Sequence, residues 1–181
     1  MKLLSVCGSP RKGNTEWMLT ELNRLCQSDG FETELVLLRK LDIRQCTGCL
    51  ACEKGGRERK GVCKIKDDMA GILPRIVEAD IIVFGTPVYF EMLSGLLKTF
   101  MDRTCPVWPK LNGKGCAGIA VAEEGIGKAV DNLETYASLC GMKWTGSATA
   151  LAKTPHQAAE DPAAAAEVAR LAEAIRQAYL K

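Results

Sequence analysis

Cys46, Cys49 and Cys52 stand two residues apart in the string CTGCLAC, and Cys63 follows after a ten-residue gap. A Cys-x2-Cys-x2-Cys run lets one turning loop present successive thiolates to a compact iron–sulfur cubane. The bacterial ferredoxin pattern reaches its fourth cysteine after three residues and continues with proline; here Lys64 follows Cys63. The same four thiols can instead hold zinc, pair as disulfides or stay free. A zinc ribbon uses two separated Cys-x2-Cys pairs, and the chain has no second separated pair and a single histidine, His156. Arg44, Lys54, Arg57, Arg59, Lys60, Lys64 and Lys66 surround the cysteines, against Glu53 and Glu58. Such cationic surroundings favour thiolates and offset an anionic cluster. They describe equally well a solvated basic loop or a docking patch for an acidic electron carrier.

A second chemical loop is Cys7-Gly-Ser-Pro-Arg-Lys-Gly-Asn-Thr15. Its two glycines let the backbone curl round a ligand. Ser9, Asn14 and Thr15 offer neutral hydrogen bonds, Arg11 adds a charge, and a helix start points free amides at an anion. A phosphate suits these groups; the plainer reading is a helix cap formed by Asn14. Three known phosphate loops fail on spacing. Asn14 stands where a Walker loop needs lysine, Gly13 where a low-molecular-weight phosphatase needs arginine, and Pro10 where the dinucleotide fingerprint needs its second glycine. A third candidate region is Thr86-Pro-Val-Tyr-Phe90, after the very apolar Ile81–Phe84. Proline holds Thr86 extended, and Tyr89 and Phe90 either flank a flat aromatic ring or cap the core.

The elements that must position these residues alternate along the chain. Buried parallel strands are expected at Leu3–Cys7, Glu34–Leu38, Asp80–Gly85 and Cys116–Ala122, with a more polar one at Lys143–Thr149. Helical stripes join Met18, Leu22, Leu25 and Cys26; Met92, Leu96, Leu97 and Phe100; and Ile126, Val130, Leu133 and Ala137. Asp67–Ala79 reads as a helix that Pro74 kinks or delays. The last helix starts at Asp161-Pro162 and buries Val168, Leu171 and Ile175. Five strands and five helices in alternation, with the two ligand-type turns, predict a doubly wound α/β fold, three layers deep, with strand order 2-1-3-4-5. In such a fold the first and third strands meet at the switch point where ligands bind, which brings the phosphate loop and the aromatics together.

The 181 residues fit one domain, 1–181, carrying a cysteine-rich insertion at about 42–66; a second long connection runs from Thr104 to Gly115. A net charge of +2 gives no reason to expect nucleic acid or an anionic membrane as partner. No stretch has the length of a signal or membrane-spanning segment, and nine cysteines in a chain of this size fit a cytoplasmic protein with reduced thiols. Cys7, Cys26, Cys105, Cys116 and Cys140 lie in apolar patterns and are expected to fill the core.

GSPRKGNT, the cysteine segment ending CKIKDDM, and ADIIVFGTPVYFEMLSGLLKTFMDR together resemble the flavodoxin-like NAD(P)H-dependent FMN reductases, in particular their iron–sulfur flavoprotein branch. The resemblance is strong over about residues 1–103. It implies that Ser9, Arg11, Asn14 and Thr15 hold the FMN phosphate, and that Thr86, Pro87, Val88, Tyr89 and Phe90 flank the isoalloxazine. Glu123-Glu124-Gly125 would close over the ring. Cys46, Cys49 and Cys52 match the cluster motif, and Cys63 matches when GRERK loops out, giving four ligands to a [4Fe–4S] cluster. Lys98, Asp102 and Arg103 belong to the family signature, although their spacing also permits ordinary pairing along a helix.

The resemblance therefore implies an FMN oxidoreductase moving electrons between NAD(P)H or a reduced carrier and a small acceptor, with FMN and a cluster as cofactors. Its partners would be small-molecule or protein electron donors and acceptors, and its assembly a homodimer or homotetramer. Two alternatives stay open: a cluster-free NAD(P)H-dependent FMN or quinone reductase, and a non-enzymatic flavodoxin-like electron carrier. No nucleophile–base pair is visible, so no side chain is assigned an acid–base role.

Overall fold

A computed structural model of the chain describes residues 1–54 and 62–180. The strands are β1 (Lys2–Cys7), β2 (Glu32–Leu37), β3 (Ile81–Tyr89), β4 (Met92–Leu93), β5 (Gly115–Ala122) and β6 (Lys143–Leu151). The helices are α1 (Asn14–Ser28), α2 (Met69–Glu78), α3 (Gly95–Arg103), α4 (Ala129–Leu139), the four-residue α5 (Gln157–Glu160) and α6 (Pro162–Tyr179). β2, β1, β3, β5 and β6 pair in that order, all parallel. Numbered among themselves, these five long strands have the expected 2-1-3-4-5 order. The two-residue β4 is added as an antiparallel ribbon on β3.

The alternation of side chains along each strand builds two cores. Leu3, Ile81, Val83, Ala117 and Ile119 face Met18, Leu19 and Leu22 of α1 and Val168, Leu171 and Ile175 of α6. Leu4, Val6, Ile82 and Phe84 face the opposite way, onto Ile72 and Ile76 of α2, Leu97 and Phe100 of α3, and Leu133 of α4. Each of these large side chains contributes roughly 2 kcal/mol by leaving water, so the sheet is clamped between two helical layers. β1 and β3 run side by side, with Cys7 opposite Gly85. Both therefore deliver their following turns to the same end of the sheet.

Several expected boundaries move. β3 runs on through Pro87 to Tyr89, four residues past the expected end. Met92 lies in β4 and is half exposed, because Ser94 starts α3 by accepting a bond from the Leu97 amide at 3.1 Å. Ile126 precedes α4, which begins at Ala129. α2 starts late, at Met69, with Pro74 inside it. Asp161 caps α6 as expected, accepting from Ala163 N at 2.9 Å.

Candidate functional site

The β1–α1 loop leaves the sheet at Cys7 and enters α1 through Gly13, whose side-chain-free position gives the helix no capping bond. The first-turn amides of α1 thus lack the side-chain partner that a Ser, Thr or Asp cap would supply. Asn14 does not fill that role. Its Nδ2 donates to Thr154 O at 2.9 Å and its Oδ1 accepts from Ala158 N at 3.1 Å, so both ends pin the loop after β6. Ser9 shapes the loop itself, donating from Oγ to Arg11 O at 2.7 Å and accepting from Arg11 N at 3.3 Å. Thr15 is buried and Arg11 exposed, and neither side chain has a polar partner among the described residues. Of the four residues expected at the phosphate, these two keep their polar groups available.

The loop is fastened to the end of β3. Gly8 N donates to Gly85 O at 2.7 Å, and Ser94 Oγ donates to Gly8 O at 2.7 Å. A Cβ on Gly8 would stand 2.5 Å from Leu97 Cβ, so only glycine allows this approach. Thr86 is fully buried; its hydroxyl accepts from Ser94 N at 2.9 Å and donates to Pro87 O at 2.8 Å. Ser94 therefore links the β1–α1 loop, β3 and α3, a role its sequence context gave no hint of.

Pro87 and Val88 are half-buried, Tyr89 is 43% exposed and Phe90 fully so. Tyr89 pairs with Met92, which makes Phe90 and Glu91 the two residues of a hairpin turn. Both have positive φ, 49° and 63°. A two-residue hairpin of this kind prefers Asn-Gly, and non-glycine residues held in the left-handed region cost about 1–3 kcal/mol each. The β5–α4 loop, which holds Glu123, Glu124 and Gly125, is tied to this tip: Lys128 N donates to Glu91 O at 2.7 Å. The turns after β1, β3 and β5 thus share one end of the sheet, the geometry of a flavodoxin-like ligand site.

The cysteine segment leaves β2 and returns to α2 beside them. Its neck is laced by two carboxylates. Asp42 N donates to Asp68 Oδ2 at 2.8 Å, and Arg44 N donates to Asp67 Oδ2 at 3.0 Å. Arg103, at the end of α3, donates to both Asp67 oxygens at 2.6 and 2.9 Å and to Arg44 O at 2.6 Å. Asp67 and Arg103 are both excluded from solvent. The guanidinium holds the Asp67 carboxyl down at about 2. Asp67 is the main group holding the Arg103 guanidinium above its ordinary value, and Cys63 lies close by. The helix-pairing expectation fits Lys98 and Asp102, 2.6 Å apart, but not Arg103, which reaches 36 residues back along the chain.

The four candidate ligands are not equivalent. Cys46 and Cys49 are exposed; Cys52 and Cys63 are partly buried. A bond from the Ala51 amide lowers the Cys49 thiol below its ordinary value, with help from Thr47 and Lys64. Burial pushes the Cys52 thiol up to about 11, aided by Cys105 and Cys63 nearby. Among the described residues no three His, Cys, Asp or Glu side chains gather closely enough to hold a metal ion. Arg57, Arg59, Lys60 and Glu58, and the insert GRERK, lie outside the described residues. The donor set fits an anionic iron–sulfur cluster: four thiols, backbone amides on the Cys46 and Cys49 sulfurs, and a buried cation beside Cys63. Holding one requires the four sulfurs to draw closer together than they stand here.

Cys7, Cys26, Cys116 and Cys140 are buried, and burial raises all four thiols, as core filling predicts. Cys105 departs from that expectation. It is half-exposed, with its sulfur 3.6 Å from that of Cys52.

The order of the sheet and the shared end of its turns define a flavodoxin-like protein. Known structures agree on the fold: a RosB structure with a bound 8-demethyl-8-formylriboflavin-5′-phosphate intermediate superimposes over 100% of this chain and 82% of its own, with a TM-score of 0.74 at 18% identity. A flavodoxin from the domain Archaea covers 98% of both chains at a TM-score of 0.66 and 16% identity. Residues 1–157 match the NADPH-dependent FMN reductase family, and the chain belongs to it. Among curated relatives, an iron–sulfur flavoprotein of Archaeoglobus fulgidus is 40% identical over 58% of this chain and 49% of its own length. One from Methanosarcina thermophila is 30% identical over 78% and 75%, and the putative NAD(P)H-dependent FMN-containing oxidoreductase YwqN of Bacillus subtilis 31% over 57% and 51%. The chain matches only 49–61% of the length of three of these relatives, two from A. fulgidus and one from Methanocaldococcus jannaschii. No helix among the described residues is long and apolar enough to cross a membrane.

Proposed function

We propose that the chain is an FMN-dependent oxidoreductase that accepts electrons from NAD(P)H or a reduced carrier and passes them to a small acceptor. The observation that carries this reading is the glycine-capped start of α1, with Thr15 and Arg11 unpartnered beside it and the strained, exposed Phe90 tip at the same end of the sheet. A phosphate at the helix start would receive the free amides, the Thr15 hydroxyl and the Arg11 charge. Tyr89 and Phe90 would flank the ring, while Ser9, Asn14 and Thr86 hold the loops in place. Bound FMN supplies hydride acceptance and one- or two-electron transfer; the chain supplies binding, orientation and electrostatics. Replacing Arg11 and Thr15 together, as Arg11→Ala/Thr15→Val, should weaken FMN much more than riboflavin, measured by fluorescence quenching. Equal losses for the two flavins would remove the phosphate from this loop.

The finer part of the reading is that Cys46, Cys49, Cys52 and Cys63 hold a [4Fe–4S] cluster that relays electrons singly. Its support is the Cys-x2-Cys-x2-Cys spacing, the iron–sulfur names of several relatives, and the buried Arg103 cation beside Cys63. The long gap before Cys63 adds little closure entropy, because that cost grows only logarithmically with length. Cys49→Ala should abolish iron–sulfur absorption while FMN stays bound. Anaerobically purified protein with full flavin but no iron or sulfide would leave the cluster-free reductase.

A further inference from the structure

Cys105 and Cys52 come from segments 53 residues apart, yet their sulfurs are in contact at 3.6 Å. Neither is sealed in the core. Cys105 stands on a fixed base: the preceding Thr104 is buried, with its hydroxyl 2.7 Å from Met101 O and 2.6 Å from the Tyr136 hydroxyl. Cys52 sits in a single 3-10 turn, Ala51–Glu53, in a segment with no other regular structure among the described residues. A disulfide needs its sulfurs at about 2.05 Å. The remaining closure of roughly 1.5 Å falls on the Cys52 side, where least resists it.

We propose that Cys52 and Cys105 form a reversible disulfide when the chain meets a peroxide. One thiol, as thiolate, attacks hydrogen peroxide and becomes a sulfenic acid with release of hydroxide. The second thiol then displaces the hydroxyl as water, so two thiols and one peroxide give one disulfide and two waters. A dithiol reductant reverses the bond by exchange. Contact favours this pair over Cys46 and Cys49, which are more exposed and show no such hydrogen-bonded sulfur pair among the described residues. In the reading that assigns Cys52 to a cluster, the bond also removes one ligand, so oxidation and cluster holding compete for a single sulfur.

The test is peptide mapping of the iron-free chain after stoichiometric hydrogen peroxide and alkylation in denaturant. Thiol titration should fall from nine to seven and return to nine with dithiothreitol. Trypsin should release the Gln45–Lys54 peptide joined to the Thr104–Lys110 peptide. The joined peptide should survive Cys46→Ser and Cys49→Ser and vanish in Cys52→Ser and Cys105→Ser. A bond within Gln45–Lys54, a bond from it to Cys63, or nine surviving thiols would overturn the proposal. If Cys105→Ser does not fold, the wild-type map still decides. Iron and sulfide content, measured on a separate anaerobic sample, tests the cluster independently. With a cluster bound, the joined peptide should be lost; its full yield with cluster absorption intact would refute the competition.

Discussion

At the end of the sheet proposed to hold flavin, polar groups are engaged by other parts of the fold: Gly8 with Gly85 and Ser94, Thr86 with Ser94, Asn14 with the turn after β6, Lys128 with Glu91. Most of these links join residues distant in sequence that the order of the strands brings together, so the shape of this end is set by the chain alone. The cysteine segment is organised the other way. It is closed tightly at its neck by Asp67, Asp68 and Arg103, while beyond the neck its regular structure among the described residues is one 3-10 turn. The contrast shows two ways of presenting donors. A rigid turn fixes amides and a few side chains in advance. A noose of chain with a fixed neck carries cysteines whose positions are not set by regular structure; if it holds the proposed cluster, binding and local ordering would be coupled, as is common in metal sites.

Both regions announced themselves in the sequence, but unequally. The strand order was legible because β1, β3 and β5 are runs of apolar residues buried on both faces, and parallel strands allow few topologies. The β1–α1 turn, the proposed phosphate loop, was legible as a turn from its glycines. The division of labour within it was not: Asn14 serves a turn 140 residues away, which no local spacing reveals. The β3–β4 hairpin escaped notice because Phe90-Glu91 lacks the Asn-Gly signature of such turns. The partners of Arg103 and Cys105 escaped for a shared reason. Asp67 and Cys52 lie on or beside the cysteine segment, and residues 95–105 read the same whether those partners are there or not.

The sharpest way to break the contrast is to cut the neck. Arg103→Met leaves the Asp67 carboxylate buried without its cation, and should destabilise the FMN-free chain by about 3–5 kcal/mol in urea. Arg103→Met/Asp67→Leu should recover most of that, since replacing both charges by apolar groups is far less costly than orphaning one. A single-mutant loss no larger than a surface substitution would mean that the segment is not held where the structure holds it.

The same pair predicts a pH dependence confined to the neck. The Asp67 carboxyl titrates at about 2 in the folded chain against an ordinary 3.8. Its folded value is the lower one, so its stabilisation is fully present above about pH 4 and lost as pH falls through 2. The loss should be roughly 2 kcal/mol by linkage. Asp67→Asn should be less stable at neutral pH and lack this part of the acid slope, read from urea midpoints between pH 5 and 2. An unchanged slope in the variant would assign the acid sensitivity to other carboxylates.

The flavin end offers the smallest effect and the most discriminating one, because stability and binding should move in opposite directions. Phe90 and Glu91 hold positive φ without the glycine or asparagine that such a turn favours, and the Phe90 ring gains nothing from burial, being wholly exposed. Phe90→Asn/Glu91→Gly relieves that strain and should raise the stability of the FMN-free chain by about 1 kcal/mol. If the tip were only a connection between β3 and β4, the change would be neutral or beneficial in every assay. If Phe90 is held out to meet the flavin ring, FMN and riboflavin should both bind more weakly, and equally so, since the lost contact is to the ring and not to the phosphate. That pattern is the mirror of the Arg11/Thr15 replacement, in which the two flavins part company. A more stable variant with unaltered affinity for both flavins would strip the strained turn of its binding role and confine recognition to the β1–α1 loop.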